Sequence, residues 1–204
     1  MISFWTKKAI VKIVYLFMNA DGACTKEEKK KFDSICNSLE IGSDFKKEII
    51  QVCNEHVVIR DREDNSDKVI GEIKKLLGDV EQDTYSFFNE NCGFGGMMLN
   101  SEEGKEAQAF TIWSLINLGY ADEEYSEPEK RVVNYLVKKW DFDKIIFDSM
   151  IDTAETILML VNQKEWVKST DKSYEDKNEM IKVINKNIKK LYKDMKITIS
   201  EADV

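Results

Sequence analysis

The stretch Ala20-Asp21-Gly22-Ala23-Cys24-Thr25-Lys26-Glu27-Glu28-Lys29-Lys30 recurs later in the chain as Ala121-Asp122-Glu123-Glu124-Tyr125-Ser126-Glu127-Pro128-Glu129-Lys130-Arg131. Ala, Asp, Glu and Lys match identically, and the Thr/Ser and Lys/Arg pairs match in chemistry. The flanks agree as well. Val11, Val14 and Phe17 oppose Ile112, Leu115 and Leu118 before the turn, and Phe32, Ile35, Cys36 and Leu39 oppose Val133, Leu136, Val137 and Trp140 after it. Agreement through two apolar faces and the turn between them is the signature of an internal repeat.

Each copy reads as helix, short turn, helix. Trp5, Ala9, Ile10, Ile13, Val14 and Phe17 form a 3.6-residue apolar stripe. Gly22 supplies a permissive backbone where that helix stops. Thr25 and Glu28 have the spacing of a capping box, in which each side chain satisfies the other residue's backbone amide. Ser126 and Glu129 repeat it, with Pro128 in the first turn, where a missing donor matters little.

The rest of the chain also predicts helices: Ser43 to about His56, Asp67–Leu77 ended by Gly78, a short one from Asp79 to about Asn89, and a long one over Asp143–Ser169. Residues 91–104, with Gly93, Gly95, Gly96 and Gly104, read as a long loop. A last helix over Tyr174–Lys196 carries Ile181, Ile184, Ile188, Leu191 and Met195 at 3-4-3-4 spacing. It is expected to pack on the preceding long helix, with Ile197–Val204 frayed. The expected fold is an all-α multi-helix bundle with an internal pseudo-two-fold repeat and an extra C-terminal helix. The expected domains are 1–170 (repeat 1 about 4–59, insertion 60–104, repeat 2 about 105–165) and 171–204 as the C-terminal helix.

Composition narrows the function classes. The chain has 204 residues, a formal net charge of −8, one proline and nine glycines. A surplus of negative charge opposes general nucleic-acid binding, which needs cations to displace counterions from phosphate. The lysines Lys186, Lys189, Lys190, Lys193 and Lys196 read as a solvated helix face. Cys24, Cys36, Cys53 and Cys92 lack C-x-x-C spacing, and His56 is the sole histidine, so a zinc site of the usual type is not expected. Reduced cysteines, an apolar N-terminal run broken by Lys12, and no stretch of membrane-spanning length predict a cytoplasmic protein without a membrane span.

Chemistry falls to four acids at matched positions, Asp21, Glu28, Asp122 and Glu129. A carboxylate at a helix C-terminus meets the negative end of the dipole, so Asp21 and Asp122 call for a partner. Two partners fit. The amides of the turn itself accommodate an Asp, and a hard cation such as Ca²⁺ or Mg²⁺ gathers carboxylate and carbonyl oxygens. The capping boxes explain Glu28 and Glu129 by helix physics alone, so both readings stand.

An apolar helix ending in Ala-Asp-Gly, then Thr or Ser, then acids opening the next helix, resembles the recurring motif of TerB-like (tellurite resistance) domains. The resemblance covers residues 4–59 and 105–165. It implies an all-helical fold with a pseudo-repeat, and a metal-associated acidic set at Asp21, Glu28, Asp122 and Glu129. The second copy has Glu123 where the first has Gly22, and residues 60–104 and the last helix look like additions. On this likeness the chain is a non-catalytic, metal-binding protein of bacterial stress response. The alternative is an acidic protein-interaction module, an adaptor or immunity-type inhibitor, without metal. Another protein is the expected partner, and the expected state is a monomer or a weak dimer through the C-terminal helix.

Other features point to no chemistry. Gly93-Phe94-Gly95-Gly96 lacks the lysine and spacing of a phosphate loop. His56 has no partner at catalytic spacing. Trp5, Trp113, Trp140 and Trp166 are all expected in core packing.

Overall fold

Helices begin and end close to where the caps and glycines place them. The computed structural model describes residues 4–56, 63–78, 102–121 and 125–201. It contains α1 (Phe4–Phe17), α2 (Lys26–Ser38), α3 (Ser43–His56), α4 (Ser66–Leu76), α5 (Glu102–Gly119), α6 (Glu127–Lys139), α7 (Lys144–Ser169) and α8 (Tyr174–Glu201). Among the described residues every regular element is an α-helix, and none is long and apolar enough to cross a membrane. The fold is an all-α multi-helix bundle.

Packing divides the chain between Phe142 and Asp143, earlier than the boundary near residue 170 expected from the sequence. The reason is that α8 buries its apolar seam on α7, which makes the two a unit of their own.

In the first unit α1 and α5 pack against each other at the centre. Both are buried over most of their circumference, α5 with Gln108, Thr111, Ser114 and Asn117 among its apolar side chains. Ala9, Ile10, Val11, Ile13, Val14 and Phe17 of α1 and Ala109, Ile112, Leu115, Ile116 and Leu118 of α5 are fully buried. Burial of each large side chain contributes about 1.5–3 kcal/mol. Helices α2, α3 and α4 surround α1, while α2 and α6 lie against α5. The two helix pairs have different main neighbours: α2 bridges α1 and α5, whereas α6 lies against α5 and α4. Charged side chains are buried in this unit too, Lys12 among them. Lys12 is 2% exposed, and its charge acts on Cys53, as does that of Glu72, which pairs with Lys75.

In the second unit Ile184, Met195 and Ile199 of α8 and Met150, Ala154, Ile157 and Val167 of α7 are buried. The tail from Ile197 is therefore helical to Glu201 rather than frayed, because Ile199 extends the buried seam by one more turn. Two further expectations are corrected. Gly104 lies inside α5, not in a loop; a helical glycine costs about 1 kcal/mol against alanine, less than the buried run that follows it contributes. Trp166 is 59% exposed, on the outer face of α7, while Trp113 and Trp140 are buried as expected. The expected helix over 79–89 and the glycines at 93, 95 and 96 lie outside the described residues, as do Cys92 and the side chains of Trp5 and His56.

Candidate functional site

The site is built from the turn after α1 and the first turns of α2 and α6. Helix α1 closes with Ala20 N donating to Phe17 O at 2.9 Å. Gly22 then takes φ 74°, a conformation that a side chain resists. Asp21 is held by its own turn, its Oδ1 accepting from Ala23 N at 2.8 Å. Thr25 next adopts the extended conformation of an N-cap.

Both capping boxes are present. Thr25 N donates to Glu28 Oε2 at 2.7 Å, and Glu28 N donates to Thr25 Oγ1 at 3.1 Å. At α6, Ser126 N and Ser126 Oγ donate to Glu129 Oε2 at 2.8 and 2.7 Å, and Glu129 N donates to Ser126 Oγ at 3.4 Å. Capping glutamates are ordinarily surface groups. Here Glu28 is 2% exposed and Glu129 3%.

The two copies meet electrostatically at Glu129. Its carboxyl is pushed up to about 8, first by burial; the bonds from Ser126 oppose the shift, and the negative charges of Asp21 and Glu28 reinforce it. Magnitudes explain the sign. A helix N-terminus favours a carboxylate by about 0.3–1 kcal/mol, less than one pKa step, whereas deep burial shifts a group by as much as 3–5 units. Two of the acids nominated by the sequence in the first copy thus act on a third, about a hundred residues further along the chain. Asp122 lies outside the described residues.

A fourth segment, unforeseen in the sequence, closes one side. Asn65 N donates to Ala20 O at 2.7 Å, joining the entry of α4 to the end of α1. Asp64 accepts from Ser66 N at 3.0 Å and pairs with Arg131, two residues beyond Glu129. Asp64-Asn65-Ser66 before an apolar helix is a readable N-cap signal, but its docking partner is a tertiary fact. Tyr125 closes another side. Its ring lies against Gly119, where a Cβ would run into the ring, and it faces Tyr120 with ring centroids 5.0 Å apart. Burial, then the charge of Glu129, pushes the Tyr125 hydroxyl up.

The donor set suits a hard cation in chemistry, being all oxygen, acidic and partly desolvated. Each carboxylate already gives one oxygen to backbone amides, and the second remains for another partner or water in Asp21 and Glu129 by valence alone. Among the described residues no three acidic, His or Cys side chains are gathered tightly enough to enclose a metal ion. Burial raises each thiol among the described residues: Cys24, which lies in the turn itself, and more strongly Cys36, up to about 11, and Cys53, up to about 12. Comparison with known protein families, with curated proteins and with solved structures gives no match.

Proposed function

We propose that the protein is a non-catalytic helical scaffold that takes up a hard divalent cation, Ca²⁺ or Mg²⁺, at the acidic junction of Asp21, Glu28 and Glu129. The single observation carrying this reading is Glu129: a buried carboxyl whose pKa is pushed up to about 8 by burial, reinforced by two neighbouring negative charges. Such a cluster holds surplus negative charge that a proton or a cation must neutralise. Asp122, matched to Asp21 in the sequence, is the fourth acid of the set. When bound, the cation would supply charge neutralisation linking the α1–α2 turn to the start of α6. The likeness of the doubled motif to TerB-like domains is what supports reading this activity as part of a bacterial stress response of the tellurite type.

Calorimetric titration of the whole chain with Ca²⁺ and Mg²⁺ near neutral pH tests the proposal. Glu129 then keeps much of its proton, so binding is expected to release protons, seen as heats that vary with the ionisation enthalpy of the buffer. Glu129→Gln should abolish that release and weaken binding. Absence of any heat with either ion at millimolar concentration would leave the acids as helix caps only.

The interaction-module alternative has its own support in the second unit. All seven large apolar side chains that stand exposed among the described residues belong to α7 and α8, Ile145, Met159, Trp166 and Tyr174 foremost. Exposed aromatic and apolar groups of this kind are common anchors for protein partners.

A further inference from the structure

The outer face of α8 carries charge opposite to that of the chain as a whole. Lys182, Lys186, Lys189, Lys193 and Lys196 follow one another at spacings of 4, 3, 4 and 3, which confines them to about 80° of the helix circumference over about 21 Å of its length. Lys190 stands beside them, and between residues 182 and 196 the only acid is Asp194. The opposite face is the one that holds the hairpin together, with Ile184 and Met195 buried on α7. All six lysines are exposed, and among the described residues none has an ion-pair partner, although ion pairs at i,i+3 are frequent elsewhere in the chain. A row of unpaired like charges costs helix stability by mutual repulsion, a few tenths of a kcal/mol for each i,i+4 pair. An anionic partner removes that cost.

We infer that this face of α8 docks on an anionic lipid surface. Three features select a membrane over nucleic acid. The lysines form one narrow row on a helix, which presents all of them to a plane at once. A helix seated in a duplex groove needs cations on both flanks, one for each strand. The row contains no arginine for bidentate phosphate contact and no aromatic side chain for base stacking. Apolar Val183 and Ile197, 54% and 42% exposed, flank the row near its two ends, where they can enter the headgroup boundary while the lysines stay among the phosphates. The attachment is peripheral: the apolar seam of α8 stays on α7, so nothing inserts deeply. A cluster of this size on one helix is what anionic headgroups attract.

Sedimentation of the full chain with phosphatidylcholine vesicles, with and without phosphatidylserine, tests this. EDTA is present throughout, so that no cation bridges the acidic junction to lipid and the result is independent of the function proposed above. The chain is expected to sediment with the serine-containing vesicles only, and to be released by salt of about 0.5 M as screening shortens the reach of each charge. Lys186→Gln, Lys189→Gln and Lys193→Gln together should weaken the association roughly a hundredfold, while arginine at the same three positions should preserve it. The variants alter only exposed positions, so unchanged melting confirms that folding is intact. Equal sedimentation with both vesicle types, undiminished binding of the glutamine variant, or release from the vesicles by duplex DNA would each overturn the inference.

Discussion

Glu129 carries opposed demands, and its titration exposes them. Its carboxyl lies at about 8 against an ordinary 4.5, so between those values the folded protein retains a proton that the unfolded chain has released. Stability contributed by this group is therefore fully present below about pH 4.5 and declines as pH rises, levelling off above about 8. Urea midpoints measured between about pH 5 and 9 should fall with pH in the wild type, and Glu129→Gln should remove most of that slope. Parallel curves for the two proteins would show that the carboxyl does not hold the proton. The caps make a second comparison. Thr25→Ala is expected to cost about 1 kcal/mol. Ser126→Ala should cost more, because Ser126 Oγ also donates to the buried Glu129 Oε2 at 2.7 Å. At this scale the sequence was highly legible: both capping boxes and the positive φ of Gly22 follow from residue type and spacing. The burial of Glu28 and Glu129 does not, because a capping pattern specifies a local bond and is silent about what covers it.

Elements obey the same division between local rule and tertiary cover. Helix α3 runs from Ser43 to His56 as its pattern dictates, and α7 starts behind the Asp143 cap, whose Oδ1 accepts from Ile146 N at 2.9 Å. The end of α8 runs past the point where fraying is expected, although Ile197-Thr198-Ile199 has the β-branched composition of a poor helix. Burial of Ile199 at 8% exposure outweighs that preference. Met195→Ala should accordingly destabilise the hairpin by about 2–5 kcal/mol, whereas Lys193→Ala, on the outer face, should stay within about 0.5 kcal/mol. Amide hydrogen exchange along α7 and α8 would register the difference. Equal protection in the two variants would mean that the seam does not hold the pair together. The exposure of Trp166 was equally hidden, because its neighbours in sequence give no sign of how far the cover over α7 extends.

For the whole molecule, the all-helical class was legible from the scarcity of breakers and the doubled motif, whereas the convergence of distant acids required the fold. Asp21 and Glu28 enter from the first copy and Glu129 from the second, and only the packing of α1, α2 and α6 around α5 lets their charges act together. A cation held among them would tie chain segments about a hundred residues apart, so its binding should stabilise the first unit as a body rather than one turn. Binding to the native state alone adds RT ln(1 + [L]/Kd), about 2.7 kcal/mol when the ion is at a hundredfold excess over Kd. The melting temperature should therefore rise with millimolar Ca²⁺ or Mg²⁺. Asp21→Asn keeps an oxygen able to accept from Ala23 N, so the turn should persist. Its lost charge should nevertheless shrink the cation-dependent shift, and Asp21→Asn with Asp122→Asn should abolish it. The same double variant, melted without metal, should be no less stable than the wild type, because removing the charge of Asp21 relieves Glu129 of a repulsive neighbour. A wild type that melts at one temperature with and without either ion would reduce the acidic junction to a pair of helix caps and a turn.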